Sequence, residues 1–403
     1  MKKRKPWRRR RHVIVRNIVY VLLYPYARIR YGLRPVRFKE QNGRQYLILY
    51  NHQTPFDQFF IGMTVRGAVY YLATEDIFSN GLVSSLIRYL VAPIPIKKQA
   101  TDVAAVMNCI RVAREGGTLA IAPEGNRTYS GKTEYINPAI APLAKKLKLP
   151  IAFLRIEGGY GVQPRWSDTL RRGTMRSYVS RVMEPEELEG LSNDELCEVI
   201  RRELYVNEGC ADGLFPHKRS AEYLERAAYV CPFCGLSAFE SHGQTAHCTT
   251  CGRHIRYRAD KEIEGIDEPF PFRFFNEWYD YQNRFVASLN LSPYMDKPMY
   301  TDKVRMSEVI VHKKKIRLRD AAALSLYGDR ITVNEGAEDA LVLSFDEITA
   351  MAICGKNKLN VYHDGHLYQF KGSKRFNALK YVNIFYHTKS IERTDGHGEF
   401  LGL

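Results

Sequence analysis

Brief, almost wholly apolar runs bounded by turn residues mark the first half of the chain, and short half-apolar runs at regular spacing mark its last quarter. Gly116-Gly-Thr-Leu-Ala-Ile-Ala122 reads as a turn entering a short strand covered on both faces. Thr54-Pro55 reads as a helix start, because Thr accepts a backbone N–H as a cap and Pro at the first helical position loses no needed donor. The run Val13 to Tyr26 is apolar but broken by Arg16, Asn17 and Pro25. A spanning helix needs about 20 apolar residues, so this run is expected as an amphipathic, Tyr-rich helix lying at a membrane interface. Glu277 to Leu289 carries apolar residues at helical spacing and is expected as a packed connecting helix.

Seven strands are expected from about residue 313, at 315–318, 323–327, 330–333, 340–345, 348–353, 358–362 and 366–370. Gly328-Asp329 and Asp364-Gly365 mark tight hairpins between them, and a helix over 374–385 follows. In element order, seven strands capped by one helix resemble a pleckstrin-homology-like barrel. That fold hosts lipid and protein binding alike. Lys313-Lys-Lys315 is either a headgroup contact or a solvated charge run.

Composition adds a compartment and a class of partner. Hydrophobic residues make up 45% of the 403, which excludes a disordered chain. The net charge of +16 implies an anionic partner, and much of the excess lies in Lys2-Lys-Arg-Lys5 and Arg8-Arg-Arg-Arg11. No small-residue cleavage site follows this arm, which argues against a signal peptide. The neighbouring aromatics do not alternate with basic residues as a base-stacking surface would, so an anionic membrane surface is favoured over nucleic acid.

Cys231-Pro-Phe-Cys234 and Cys248-Thr-Thr-Cys251 are two knuckles that converge four thiolates, the pattern of a closed structural zinc site. His242, His247 and His254 are substitute ligands that four cysteines do not require. Cys109, Cys197, Cys210 and Cys354 show no paired spacing, so cysteine usage points to a reducing cytosol.

The reaction chemistry lies in Asn51-His-Gln-Thr-Pro-Phe-Asp57. With His52 outside the helix and Asp57 in its first turn, the break at Thr54-Pro55 lets the two side chains meet. Asp57 can then accept from one imidazole nitrogen and leave the other free to take a proton from a substrate hydroxyl. Downstream, Pro123-Glu-Gly-Asn-Arg-Thr-Tyr-Ser-Gly131 lies beyond the end of the buried strand, the edge at which open α/β sheets bind ligands. Arg127 offers a planar fork suited to phosphate, and Gly125 and Gly131 permit close backbone approach. Glu124 either orients Arg127 or accepts from a substrate hydroxyl. Alone, each run also fits a bland reading, a capped His or a Glu–Arg pair in a turn.

Together, in this order, the two runs resemble the glycerolipid acyltransferases that make phosphatidic acid from lysophosphatidic acid. Asn51-His52 and Asp57 match the family's catalytic block, and Glu124-Gly125, Arg127, Ser130 and Gly131 match its phosphate-binding block. Ala92-Pro-Ile-Pro-Ile-Lys-Lys98 resembles the block ending in a basic phosphate ligand, at Lys98 or Lys97, and Leu149-Pro150-Ile-Ala-Phe-Leu resembles the fourth block. The resemblance covers roughly residues 12 to 210, about half of the chain. Asn126 replaces the usual Thr, Lys98 the usual Arg, and Thr74 stands where many relatives carry Lys. These departures bear on the acceptor more than on the reaction.

The resemblance implies acyl transfer from acyl-CoA or acyl-carrier protein to a lysophospholipid, with no cofactor in catalysis. His52 would be the base, Asp57 its orienter, and Lys98, Glu124, Gly125 and Arg127 the acceptor site. The expected organisation is a basic arm with an interfacial helix (1–35), an α/β catalytic domain with a mixed sheet flanked by helices (36–212), a small four-cysteine zinc ribbon (225–260), a connecting helical segment (261–300) and a β-barrel capped by a helix (301–390). Such an enzyme is expected on the cytoplasmic face of the cell membrane, peripheral or monotopic. Glycerol 3-phosphate or a lyso-glycolipid is the alternative acceptor, and a non-catalytic membrane or nucleic-acid binding protein the alternative class.

Overall fold

The protein is described by a computed structural model covering residues 6–74, 77–78, 82–96, 102–310 and 315–392. It divides into two units, one built from residues through Arg165 plus Leu170–Pro216, the other from Trp166–Thr169 plus residues from His217 onward. Lys97, Lys98, Lys313 and Lys314 lie outside the described residues.

In chain order the first unit runs α1 (Arg10–Arg30), β1 (Leu33–Pro35), β2 (Leu47–Tyr50), α2 (Asp57–Thr64), β3 (Val69–Thr74), α3 (Leu82–Leu90), β4 (Ile94–Ile96), α4 (Val103–Arg114), β5 (Thr118–Ile121), α5 (Ile140–Leu147), β6 (Ile151–Glu157), α6 (Gly159–Val162), β7 (Met175–Met183), α7 (Pro185–Glu189) and α8 (Asn193–Leu204). The seven strands form one mixed sheet in the order β1-β7-β6-β2-β5-β3-β4, in which only β6 and β7 pair antiparallel.

Every residue of β2 and β5 is buried, as parallel strands covered on both faces must be. Their side chains alternate between two cores. Leu47, Leu49, Leu119, Ile121, Ile151 and Phe153 pack toward α4, α5 and α8. Ile48, Tyr50, Ala120, Ala152 and Leu154 pack with residues of α1 and α2, including Ala27, Phe60, Ile61 and Met63. Burying each Leu or Ile side chain contributes about 1.5–3 kcal/mol, so both layers hold β2 and β5 at the centre of the sheet. Capping sharpens the helix starts: Asp102 accepts from Ala105 N, and Ser192 and Glu195 form a reciprocal capping box on α8.

The arginine that interrupts the apolar run of α1 has a structural use. Arg16 donates to the carbonyls of Gly62 and Val65 at the C-terminal end of α2, where unpaired carbonyls favour a cation. The arm before α1 is also held: Trp7 N and Arg8 N both donate to Glu115 Oε2, and Trp7 Nε1 to Ala92 O. Ile14, Ile18, Val21, Leu22 and Ile29 remain exposed along α1, as do Leu82, Val83, Leu86 and Tyr89 on α3. No described helix is long and apolar enough to cross a membrane.

The second unit begins with β8 (Val230–Cys231), β9 (Gly235–Leu236), β10 (Phe239–His242), β11 (Thr245–Cys248), β12 (His254–Tyr257) and β13 (Ile263–Gly265). The first two make a hairpin and the other four an antiparallel sheet. Helix α9 (Phe275–Ala287) locks onto the hairpin: Gln282 Oε1 accepts from Tyr229 N and Val230 N, and Trp278 Nε1 donates to Val230 O. Phe275, Trp278 and Tyr279 are buried, as the helical spacing implied, and Tyr281 and Phe285 half-buried.

After α9 come β14 (Tyr300–Glu308), β15 (Ile316–Leu326), β16 (Arg330–Val333), β17 (Leu341–Ser344), β18 (Ile348–Cys354), β19 (Lys358–His363), β20 (His366–Gly372) and α10 (Leu379–Glu392). They form a curled antiparallel sheet ordered β17-β16-β15-β14-β20-β19-β18, with β17 and β18 at opposite edges. The expected β-barrel is thus present as an open half-barrel. The strand count is unchanged but two assignments differ. The runs at 315–318 and 323–327 are one strand, because β15 continues along β14 through two register shifts, and β14 itself was not anticipated. The last helix starts at 379, later than expected, because the Asn377 side chain accepts from Lys380 N as a cap.

Candidate active site

Two loops meet at the carboxyl ends of the neighbouring strands β2 and β5. The first begins with Asn51, a fully buried side chain whose amide pairs with β6 as a strand residue would: Nδ2 donates to Ile156 O, and Ile156 N donates to Oδ1. Sheet pairing is thereby extended one residue beyond β2. The next residue, His52, leaves the sheet from a fixed point.

The chain then turns back on Asp57. Helix α2 starts at Asp57 itself, so Thr54 is not its cap. Instead the Asp57 carboxylate, with no solvent exposure, gathers the turn around it. It accepts from Gln53 N at 2.7 Å, Thr54 N at 3.0 Å and Thr54 Oγ1 at 2.6 Å. His52 Nδ1 lies 2.7 Å from Asp57 Oδ2. An ionised carboxylate only accepts, so Nδ1 carries the proton and Nε2 of the neutral ring is left with its lone pair. The His52 side chain is 24% exposed while Asp57 is sealed, so the ring reaches solvent or substrate as the carboxylate cannot.

The second loop is tied to the first by Glu124, whose Oε1 accepts from His52 N at 2.8 Å. Among the described residues no ion pair joins Glu124 to Arg127, so the first of the two roles read for Glu124, orienting Arg127, is not the one seen: this carboxyl holds the base's backbone. Burial pushes Glu124 up to about 8, against the lowering effect of the His52 N–H. Arg127 is pulled down to about 10, first by burial and then by Arg165, and its Nη1 is buried with no hydrogen-bond partner. Gly125 has φ +68°, the left-handed conformation that lets the loop turn between them. Gly131, at φ +88°, also lies where a Cβ would strike Gly209 N and the Tyr160 ring.

Arg165 is a residue that the sequence reading passed over. Its Nη1 donates to Arg127 O at 2.6 Å, and its guanidinium lies 4.2 Å from the Tyr129 ring centroid. Asn51 and Thr54 were named from the sequence and Gln53 lies between them, yet the roles of all three depend on partners that only the fold supplies. For Arg165 the sequence carried no signal.

The four knuckle cysteines converge in the second unit. Their sulfur atoms all lie within 4.8 Å of one another, with Cys231 to Cys251 at 3.7 Å and Cys234 to Cys248 at 3.5 Å. Such a set of soft donors suits a metal ion. None of His242, His247 or His254 joins the cluster; His254 Nδ1 instead meets Asp267 at 2.9 Å.

The elevated Glu124 carboxyl makes a pH-dependent prediction. Because its folded-state pKa exceeds the unfolded value, the folded protein holds a proton that the unfolded chain releases between about pH 4.5 and 8, so this group's contribution to stability declines through that window. Glu124→Gln keeps an acceptor for His52 N–H and carries no charge. Its melting temperature, relative to the native protein, is expected to rise by several degrees between about pH 5 and pH 8.5, as followed by calorimetry, whereas a constant offset would contradict a buried, proton-holding Glu124.

Comparison with known proteins bears on the first unit. The model of the Acyltransferase family matches residues 34–157, a span that includes both loops. Among solved structures, the chain is similar to the 1-acyl-sn-glycerophosphate (LPA) acyltransferase PlsC from Thermotoga maritima, with 23% identity and a TM-score of 0.37 over 47% of this chain and 74% of that one. It is also similar to the N-terminal PH domain of the human ARAP2 protein, with 14% identity and a TM-score of 0.19 over 24% of this chain and 84% of that one. No curated protein matches. The span of the first unit that the Acyltransferase family model matches, residues 34–157, contains His52, Asp57, Glu124 and Arg127.

Proposed function

We propose that the chain is a membrane-peripheral O-acyltransferase that moves a fatty acyl group from acyl-CoA or acyl-carrier protein to 1-acyl-glycerol 3-phosphate, yielding phosphatidic acid. The observation that carries this reading is the His52–Asp57 pair at 2.7 Å, with a sealed carboxylate behind a partly exposed ring. His52 Nε2 takes the proton of the acceptor hydroxyl as that oxygen attacks the thioester carbonyl carbon. The tetrahedral intermediate collapses with cleavage of the C–S bond, and the thiolate leaves with the proton from His52. Asp57 keeps the tautomer and favours the transient imidazolium. Arg127, whose Nη1 lacks a partner, binds the acceptor phosphate, with Lys98 as the second cation of the reading.

The exposed apolar residues of α1 and α3, together with Arg8 to Arg11, support docking on an anionic bilayer at the cytoplasmic face, where a lysolipid acceptor resides. The four-cysteine cluster supports a structural zinc ion that closes the small hairpin-and-sheet region of the second unit. The zinc ion has no place in the acyl transfer.

Purified protein incubated with acyl donor and lysophosphatidic acid is expected to form phosphatidic acid by mass spectrometry, and His52→Ala to lower the rate by about 10²–10⁴-fold. Unchanged turnover in His52→Ala would contradict the mechanism. Sedimentation with vesicles should retain the protein on anionic but not neutral bilayers at low salt, and replacing Leu82 and Leu86 by Asp should weaken that retention several-fold. Equal retention on both vesicle types would exclude the electrostatic docking. Elemental analysis is expected to find about one zinc ion per chain, lost on Cys251→Ser with a lower melting temperature for the second unit. Protein that is free of metal and equally stable would rule out the zinc site.

A further inference from the structure

Arg165 lies outside residues 34–157 and outside every block that carries the family resemblance, yet it is only 3% exposed and sits against the loop that bears Arg127. A guanidinium taken out of water needs partners for its five donors. Two of them point into the loop that bears Arg127: Nη1 donates to Arg127 O at 2.6 Å and Nη2 approaches Asn126 Oδ1 at 3.5 Å, while the guanidinium lies over the Tyr129 ring. Asn126 stands where the family block has Thr, so at this departure the side chain offers an amide oxygen to Arg165.

The arrangement also places two guanidinium groups in one buried region. Like charges repel more strongly as water is excluded, and the repulsion is felt by Arg127, which Arg165 pulls down. Arg127 Nη1 is meanwhile buried and unpartnered. An unpaired donor beside a second cation is a configuration completed by an anion, and a dianion answers both charges.

We propose that Arg165 is the positioning residue of the acceptor site, fixing the backbone of Arg127 and adding to the positive charge of Arg127 and Lys98, so that the site selects a phosphate monoester over a phosphodiester. This rests on the reading of Arg127 as the phosphate ligand. A monoester carries close to two negative charges near neutral pH and a diester only one, so loss of Arg165 removes more binding from the first than from the second.

The test uses the full chain, with glycerol 3-phosphate as monoester probe and glycerophosphocholine as diester probe, measured by calorimetry beside acylation kinetics. Arg165→Gln is expected to weaken glycerol 3-phosphate binding about 10- to 100-fold, to narrow the preference over the diester, and to raise the acceptor KM while the donor KM stays unchanged. Arg165→Lys keeps the charge but not the fork, and should fall between the native protein and Arg165→Gln; it carries the test if Arg165→Gln fails to fold. Unaltered monoester affinity in both variants, or a loss shared equally by donor and acceptor, overturns the proposal. Binding that depends on Arg165 in a protein that acylates nothing would uphold it and remove the acyltransferase reading. Acylation with an acceptor KM indifferent to residue 165 would do the reverse, and native protein that neither binds nor acylates would remove both.

Discussion

A carboxylate with no exposure to water must be surrounded by donors, and Asp57 is the point at which the first unit meets that demand. Two consecutive backbone N–H groups, a threonine hydroxyl and an imidazole all converge on it. Satisfying them bends residues 52 to 57 into a single turn at the end of β2, so the requirement to bury one charge also fixes the orientation of the base. The rest of the site is organised around that turn. Glu124 secures His52 from the neighbouring strand, Asn51 extends the sheet beneath it, and Arg16 steadies the far end of the helix that Asp57 begins.

Local pattern was enough to read the parts of this arrangement whose cause is local. The five-residue spacing of His52 and Asp57 around a helix break, the loop following a buried strand, and two paired-cysteine knuckles each follow from a few neighbouring residues. What could not be read depends on contacts between distant segments. Glu124 reaches His52, Asn51 reaches Ile156, and Arg165 reaches Arg127, and in each case the partner is chosen by the order of strands in the sheet. Glu124 illustrates the consequence: beside Arg127 in sequence it suggested an ion pair, whereas in space it serves the base. In the second unit the misjudged strands have the same origin. Residues 319–322 read locally as a break between strands, yet pairing with β14 carries β15 through them as bulges.

The two units contribute differently to the function proposed. The first holds the reacting groups, a buried anionic hub and a loop with an unpartnered cation, and presents apolar side chains from two of its helices. The second has buried apolar residues of its own, among them Val230, Phe239, Ile255 and Trp278, with α9 bonded to the hairpin and the four knuckle cysteines clustered beside it. The architecture of its half-barrel with a terminal helix assigns it no ligand by itself.

Everything in the proposed chemistry requires that Asp57 hold the proton of His52 on Nδ1, so the most direct measurement is the imidazole tautomer. Nitrogen-15 NMR of the intact chain labelled at histidine, with His52 assigned by its loss in His52→Gln, reads it directly. The account predicts a neutral ring protonated at Nδ1 and bare at Nε2, with that preference lost in Asp57→Asn. A ring protonated at Nε2, or one whose tautomer is indifferent to Asp57→Asn, would contradict it.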